Sequence, residues 1–135
     1  MSRVLPDAIA SFLNSPAFAV VGASVDRSKY GNKVLRCYQQ HGKDVYPINP
    51  KAPEVEGQKA YPSLTALPVK VKAISVITPP QATEQVVREA AAAGVEHVWM
   101  QPGAESEAAI RTAESLGMSV IAGGPCLLVV LGYHE

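Results

Sequence analysis

The sequence predicts the α/β class, as a three-layer α/β/α domain built on a five-stranded parallel sheet. Short apolar runs rich in Val and Ile alternate with longer amphipathic segments, the pattern of strands joined by crossover helices. Gly42, Gly94 and Gly117 follow three of the amphipathic segments, where a left-handed residue ends a helix without side-chain strain. The 135 residues suffice for one domain, 1–135, that buries roughly two-thirds of the surface its unfolded chain exposes.

In chain order, a helix is expected over 6–14 and a first strand over 17–23. A helix over 32–41 follows, opened by Asn32 as N-cap, and then a second strand over 44–49. Residues 51–72 hold four prolines and read as a long connection with one helical turn near 63–66. Beyond it come a strand over 73–78, a helix over 82–93 capped by Thr83, a strand over 97–101, a helix over 105–116 and a last strand over 119–122. Glu105 and Glu107 place negative charge at the positive end of the last helix. Each strand is short and apolar enough to be buried on both faces.

Composition excludes several classes of function. Twelve basic side chains balance twelve acidic ones, so the net charge is zero, whereas a general nucleic-acid or anionic-membrane binder needs a basic excess. The cysteines, Cys37 and Cys126, are too few for a disulfide framework or a Cys-rich metal site and are expected reduced. His41, His97 and His134 show no spacing for a metal site or a triad, and no metal ligand is assigned. With neither a secretory leader nor an apolar run long enough to span a bilayer, the chain is expected in the cytoplasm.

Candidate chemistry gathers at the strand ends. Strand one runs out in Ala19-Val20-Val21-Gly22-Ala23-Ser24, a polar turn follows, and Gly31-Asn32 opens the next helix. At the carboxyl end of a parallel strand, helix amides and the helix dipole favour a phosphate-bearing nucleotide, which makes the domain Rossmann-like. Gly22 permits a sharp turn, Gly31 a close approach of phosphate or helix start, and Ser24 adds a hydroxyl donor. The spacing is looser than G-x-G-x-x-G, and turn geometry alone is the competing reading of the glycines. Arg27, Lys29, Lys33 and Arg36 crowd this turn and suit phosphates, although Lys33 and Arg36 taken singly read as a solvated helix face.

Strand two ends in Tyr46-Pro47-Ile48-Asn49-Pro50-Lys51. An NAD site carries an acid there, roughly 20 residues beyond the glycines, to bond the ribose hydroxyls; Asn49 and Lys51 suit a phosphorylated ribose instead. Strand three ends in Val76-Ile77-Thr78-Pro79-Pro80, a rigid lip suited to adenine or a pantetheine-like arm, or else mere punctuation before the helix. Strand four ends in Trp99-Met100-Gln101-Pro102-Gly103, which sets an amide at the same edge and Trp99 in the core. Strand five ends in Ala122-Gly123-Gly124-Pro125-Cys126 before an apolar tail over 127–131. No base is assignable to Cys126, so it reads as a buried thiol or pocket wall, and no catalytic residue is assigned.

Taken in order, Val20-Val21-Gly22-Ala23-Ser24, Gly31-Asn32, Pro47-Ile48-Asn49-Pro50-Lys51, Val76-Ile77-Thr78-Pro79-Pro80, Trp99-Met100-Gln101-Pro102-Gly103 and Gly124-Pro125-Cys126 resemble the small, stand-alone CoA-binding proteins. They are also similar to the CoA-binding domain of the succinyl-CoA synthetase α subunit and of ADP-forming acyl-CoA synthetases. The resemblance covers nearly the whole chain and implies CoA or acyl-CoA lying across the ends of a five-stranded parallel sheet. It assigns Gly22, Ala23 and Ser24 to the phosphate-facing turn, Lys51 to a CoA phosphate, and Asn49 and Pro50 to the adenosine side. Thr78, Pro79 and Pro80 line the cofactor's path, and Gln101 and Cys126 occupy family positions on strands four and five. With Lys29, Gly31 and Asn32, these residues form the expected site. The larger synthetases carry Asn between Pro and Cys, a departure that weakens any role carried over to Cys126.

In the synthetases the chemistry needs a phosphorylatable His in a following domain and a nucleotide-grasp partner, so ligase activity is not expected of these residues alone. The expectation is a non-catalytic CoA or acyl-CoA binding protein. The competing readings are an NADP-binding oxidoreductase-like domain, a small acyl-transfer enzyme using Cys126, and an interaction module whose apolar tail packs on another copy or a partner protein.

Overall fold

The computed structural model describes residues 6–124 and 126–134, so Pro125 of the expected Gly-Pro-Cys motif lies outside the described residues. Strands β1 (Phe18–Val21), β2 (Val45–Ile48), β5 (Ala73–Val76), β6 (His97–Met100) and β7 (Ser119–Ile121) form a parallel sheet in the order β2-β1-β5-β6-β7. Two short strands, β3 (Glu54–Val55) and β4 (Gln58–Lys59), make a separate antiparallel hairpin. Helices α1 (Pro6–Leu13), α2 (Tyr30–Gln40), α3 (Pro80–Ala92) and α4 (Glu107–Ser115) join the strands. The fold is the predicted Rossmann-like five-stranded α/β sheet, and its elements differ from the expected bounds by one or two residues at most ends.

Alternation along each central strand divides the interior in two. Phe18 and Val20 of β1 face a layer with Phe12, Val34, Leu35, Tyr38 and Trp99, while Ala19 and Val21 face Ile74, Val76, Met100, Ala90 and Ile110. The first layer is aromatic: Phe12 meets Trp99 edge-on at 5.2 Å between centroids and Phe18 stacks on Tyr38 at 4.8 Å. Truncating such buried rings to Ala costs about 3–5 kcal/mol, so this layer sets where α2 rests on the sheet. Trp99 is fully buried, as expected.

Helix ends follow the glycine pattern more closely than the N-cap pattern. Gly94 takes φ +86° and, with Val95, bonds back to Ala91 and Ala90, the closure expected at all three helix-ending glycines. Asn32 and Thr83, in contrast, are not N-caps. α2 begins at Tyr30 behind Lys29, without a side-chain cap, and α3 begins at Pro80, whose fixed φ suits a first helical position. Glu105 lies outside α4; the cap is Ser106, whose Oγ accepts the Ala109 N–H at 3.0 Å, and Glu105 accepts from Gly103 N–H instead.

The 51–72 connection holds the β3–β4 hairpin as well as the 3-10 turn Leu64–Ala66. Glu56 and Gly57 form its tip at φ +47° and +78°, the left-handed pair of a tight hairpin. The apolar tail becomes a π-helical turn, Leu128–Gly132, packed along α2, with Leu127 fully buried in the chain's own core and Val129 81% exposed. No helix of the described residues is long and apolar enough to cross a membrane.

Candidate functional site

The parallel register brings the carboxyl ends of the strands into one row. Val21 pairs with both Ile48 and Val76, and Val76 with Met100, so the next residues, Gly22, Asn49, Ile77 and Gln101, sit side by side along the edge. The chain leaves β1 on one side of the sheet and β5 on the other, so the sheet order reverses between them. Ligands of open parallel sheets bind outside the strand ends at such a reversal.

Both turn glycines are there for close packing. Gly22 has φ +100°, and a Cβ on it would overlap the Ile77 carbonyl oxygen at the end of β5. A Cβ on Gly31 would overlap the Gly22 carbonyl oxygen in turn. The first turn of α2 is thereby pressed against the end of β1, with its uncapped N–H groups at the strand-end edge.

The loop between them is fastened by its own side chains. Ser24 Oγ accepts the Asp26 N–H at 3.1 Å, and Asp26 Oδ1 accepts the Ser28 N–H and hydroxyl at 2.9 and 2.7 Å. Those bonds from Ser28 hold the Asp26 carboxyl below its ordinary pKa, with Lys29 adding to the effect. Asn32, fully buried, donates to the Ser24 carbonyl at 2.8 Å and to Glu56 at 2.9 Å, and accepts from Arg36 Nε at 2.7 Å. Its side chain is therefore a bracket inside the loop, and only its backbone remains for a ligand. Arg36 is buried as well, donating also to the Arg27 carbonyl at 3.0 Å, which corrects its reading as part of a solvated face.

Asn49 plays the same part across the edge. Its Nδ2 donates to the Ala23 carbonyl at 2.9 Å, and its Oδ1 accepts from the N–H groups of Lys51 and Ala52, so the ends of β1 and β2 are tied together. Pro50 and Lys51 are exposed beyond it, and Lys51 forms no ion pair among the described residues. Thr78 and Thr83 bond through their hydroxyls at 2.8 Å; Thr83 donates to the Ala104 carbonyl, which leaves Thr78 the donor between them. Pro79 and Pro80 are exposed on the lip, as their place in the sequence suggested.

Gln101 is fully buried. Its Oε1 accepts the Leu127 N–H at 2.9 Å and the Tyr30 hydroxyl at 3.1 Å, and its Nε2 reaches Ser75 Oγ, itself bonded to the Tyr38 hydroxyl at 2.7 Å. The Tyr30 hydroxyl also meets Cys126 Sγ. Because the Tyr30 hydroxyl donates to Gln101, its oxygen accepts the hydrogen bond from the Cys126 thiol. Burial, and then the bond to Cys126, raise the Tyr30 phenol above its ordinary pKa. Burial pushes the Cys37 thiol up to about 11.

Tyr30 and Glu56 are the residues of this edge that sequence reasoning passed over. Tyr30 directly precedes Gly31, and Glu56-Gly57 is a weaker relative of the Asp-Gly hairpin signal. The three histidines lie at the opposite edge: His97 opens β6, His41 follows α2 and bonds the Gly132 carbonyl, and His134 bonds Gln40 at the end of α2. A concavity of about 400 Å³ between the 64–71 loop and the end of α3 also belongs to that edge. Lined chiefly by apolar side chains, it lacks the convergent polar groups of the strand-end row.

An open parallel sheet whose order reverses beside a glycine-tightened turn and an uncapped helix defines a Rossmann-like α/β domain. The family is more specific. The CoA binding domain family matches residues 16–132, and the chain belongs to it. It is 29% identical over 134 residues to the α subunit of acetate–CoA ligase (ADP-forming) II of Pyrococcus furiosus, covering 91% of this chain and 29% of that one. The chain thus spans less than a third of the length of that curated relative. Among solved structures, a conserved hypothetical protein of Pyrococcus furiosus is 41% identical with a TM-score of 0.79, over 84% of this chain and 97% of that one. A dinucleotide-forming acetyl-coenzyme A synthetase of Candidatus Korarchaeum cryptofilum is 37% identical with a TM-score of 0.70, over 78% of this chain and 25% of that one.

Proposed function

We propose that this chain binds CoA or acyl-CoA along the carboxyl edge of its sheet and holds the cofactor without transforming it. The observation that carries the reading is the first turn of α2, uncapped and pressed onto the Gly22 turn at the β1–β5 reversal, in a member of the CoA binding domain family. The Gly22 N–H is held by the Ile48 carbonyl at 3.4 Å, so the backbone N–H groups of Ala23 and Ser24, with those of Gly31 and Asn32, face the pyrophosphate, favoured by the helix dipole. Lys29 and Lys51 supply mobile positive charge, with Lys51 on the 3′-phosphate beside Asn49 and Pro50. The Thr78-Pro79-Pro80 lip guides the pantetheine arm towards Gln101 and Cys126.

A holding role is supported by what surrounds that path. Its hydroxyls and amides are engaged in the fold, and the nearest thiol is matched with a tyrosine of raised pKa, which makes a poor general base at neutral pH. Its ligase and synthetase relatives make a partner protein the natural recipient of the bound cofactor.

Calorimetric titration of ligand-free protein with CoA, dephospho-CoA and NADPH tests the reading. CoA is expected to bind most tightly. Absence of CoA binding at millimolar concentration overturns the proposal, and preferential binding of NADPH would transfer the site to the nicotinamide class.

A further inference from the structure

We infer that Glu56 is a built-in counter-ion for Arg27, which a ligand phosphate displaces, so that Glu56 acts as a brake on the affinity for phosphorylated ligands. The inference rests on the reading of the strand-end row as a CoA site. Glu56 occupies a hairpin tip at φ +47°, a conformation that disfavours any residue other than Gly, Asn or Asp. Its carboxylate accepts from the buried Asn32 at 2.9 Å and stands 3.5 Å from Arg27 Nε.

The two contacts differ in kind. Asn32 holds the carboxylate by a hydrogen bond from inside the fold, whereas the approach to Arg27 is an ion pair beyond good hydrogen-bond length. Arg27 has its main chain fixed by Arg36, but its side chain is 67% exposed, and Glu56 is the acid it pairs with. The pair forms one wall of a cleft of about 440 Å³ lined also by Arg36, Gln39 and Gln40, so the Arg27 side chain can swing away without displacing packed atoms. Two other charges of this region are engaged elsewhere, Asp26 by Ser28 and Arg36 by Asn32.

An exposed ion pair of this kind is weak. A phosphate presents two oxygens in the plane of a guanidinium and makes shorter, charge-assisted bonds to it. Arg27 therefore leaves Glu56 for the ligand. The carboxylate, still anchored by Asn32, stays behind as a negative charge that lowers the net gain.

Calorimetric titrations with CoA and with pantetheine, which lacks the phosphates, use the full chain as wild type, Glu56→Gln, Arg27→Ala and the double variant. Gln keeps an acceptor for Asn32; Glu56→Asn, better suited to the left-handed φ, serves if Gln impairs folding. Removing the charge is expected to tighten CoA binding about two- to fivefold and to leave pantetheine unchanged, with the gain much reduced once Arg27 is Ala. No gain for either variant, or the same gain with and without Arg27, overturns the inference. If wild-type protein binds no CoA at all, the reading of the site itself falls; if it binds CoA but shows no coupling between Arg27 and Glu56, only the brake does.

Discussion

Gly31→Ala sets two opposing effects against each other. Gly31 does not have a positive φ, and it lies inside α2, where alanine is favoured over glycine by about 0.5–1 kcal/mol. On propensity alone the variant should be more stable. Against this, the added Cβ would overlap the Gly22 carbonyl oxygen and lie 3.4 Å from the Ala23 Cα, both backbone atoms of a turn already wedged against Ile77. Such atoms cannot rotate aside as a flexible side chain does, and overpacking of this kind costs about 1–3 kcal/mol, towards the upper end here. The steric term wins, leaving a net loss of about 1–2 kcal/mol and a Tm lowered by about 3–10 °C for a chain of this size. Thermal and urea unfolding measure it, with Gly42→Ala as the contrast. Gly42 has φ +67°, but an added methyl group there would meet no atom within 4 Å, so its variant reports the conformational cost alone. CoA titration of the same proteins separates them further: displacing the first turn of α2 should weaken binding at least about tenfold, whereas Gly42→Ala, at the other end of the helix, should bind normally. A Gly31→Ala protein as stable as wild type with undiminished CoA affinity would refute both the close packing of the turn and the placement of the phosphates.

Lys51→Ala is expected to weaken CoA about tenfold to hundredfold and dephospho-CoA much less; equal weakening of the two would assign Lys51 to the pyrophosphate. Gln101→Leu leaves the buried Leu127 N–H without its acceptor and should cost about 1–3 kcal/mol, with faster hydrogen exchange at Leu127 as the local readout and unchanged exchange there as the contrary result. The Cys37 thiol, raised from 9.0 to about 11 in the fold, keeps its proton where the unfolded chain loses it. Its contribution is complete below pH 9 and is lost as pH rises towards 11, so the urea midpoint should fall over that window and Cys37→Ala should flatten the fall between pH 9 and 10. Above pH 10 the raised phenols of Tyr30 and Tyr38 add losses of the same sign.

The sheet was legible because its central strands are buried on both faces and the ends of α2, α3 and α4 are each marked by a glycine whose φ no other residue adopts cheaply. The row of strand ends was legible for the same reason, since parallel register aligns whatever follows each apolar run. What escaped was set by contacts distant in sequence. Asn32 looks locally like a cap, but its amide is claimed by Ser24 and by Glu56, 24 residues on, while the helix starts two residues earlier. The β3–β4 hairpin has only two residues per strand, too few for alternation to show, and prolines on either side mask it further. Arg36 reads as a surface cation on its own helix, yet the Arg27 carbonyl and Asn32 give it partners inside the fold, and the Tyr133 ring lies 5.4 Å from its guanidinium.

These inward bonds change what recognition at the edge can consist of. Asn32, Asn49, Thr78 and Gln101 are the polar side chains that the strand ends nominate as ligand contacts, and each is committed to holding neighbouring segments in place. The groups left over are the main-chain N–H donors of Ala23, Ser24 and the first turn of α2 and the Ser24 hydroxyl, which accepts from Asp26 but keeps its own proton to donate, together with Lys29, Lys51 and an Arg27 that is only loosely retained. Two kinds of substitution should therefore separate cleanly in experiment. Loss of an amide side chain disturbs the scaffold first and affinity only through it, whereas loss of a lysine leaves the melting temperature nearly unchanged and appears in the binding constant and its salt dependence. On the proposed reading, a site built in this way should discriminate by the number and spacing of phosphates rather than by hydrogen bonds to a base, and its selectivity among ligands should rest on which of the mobile cations finds a phosphate within reach.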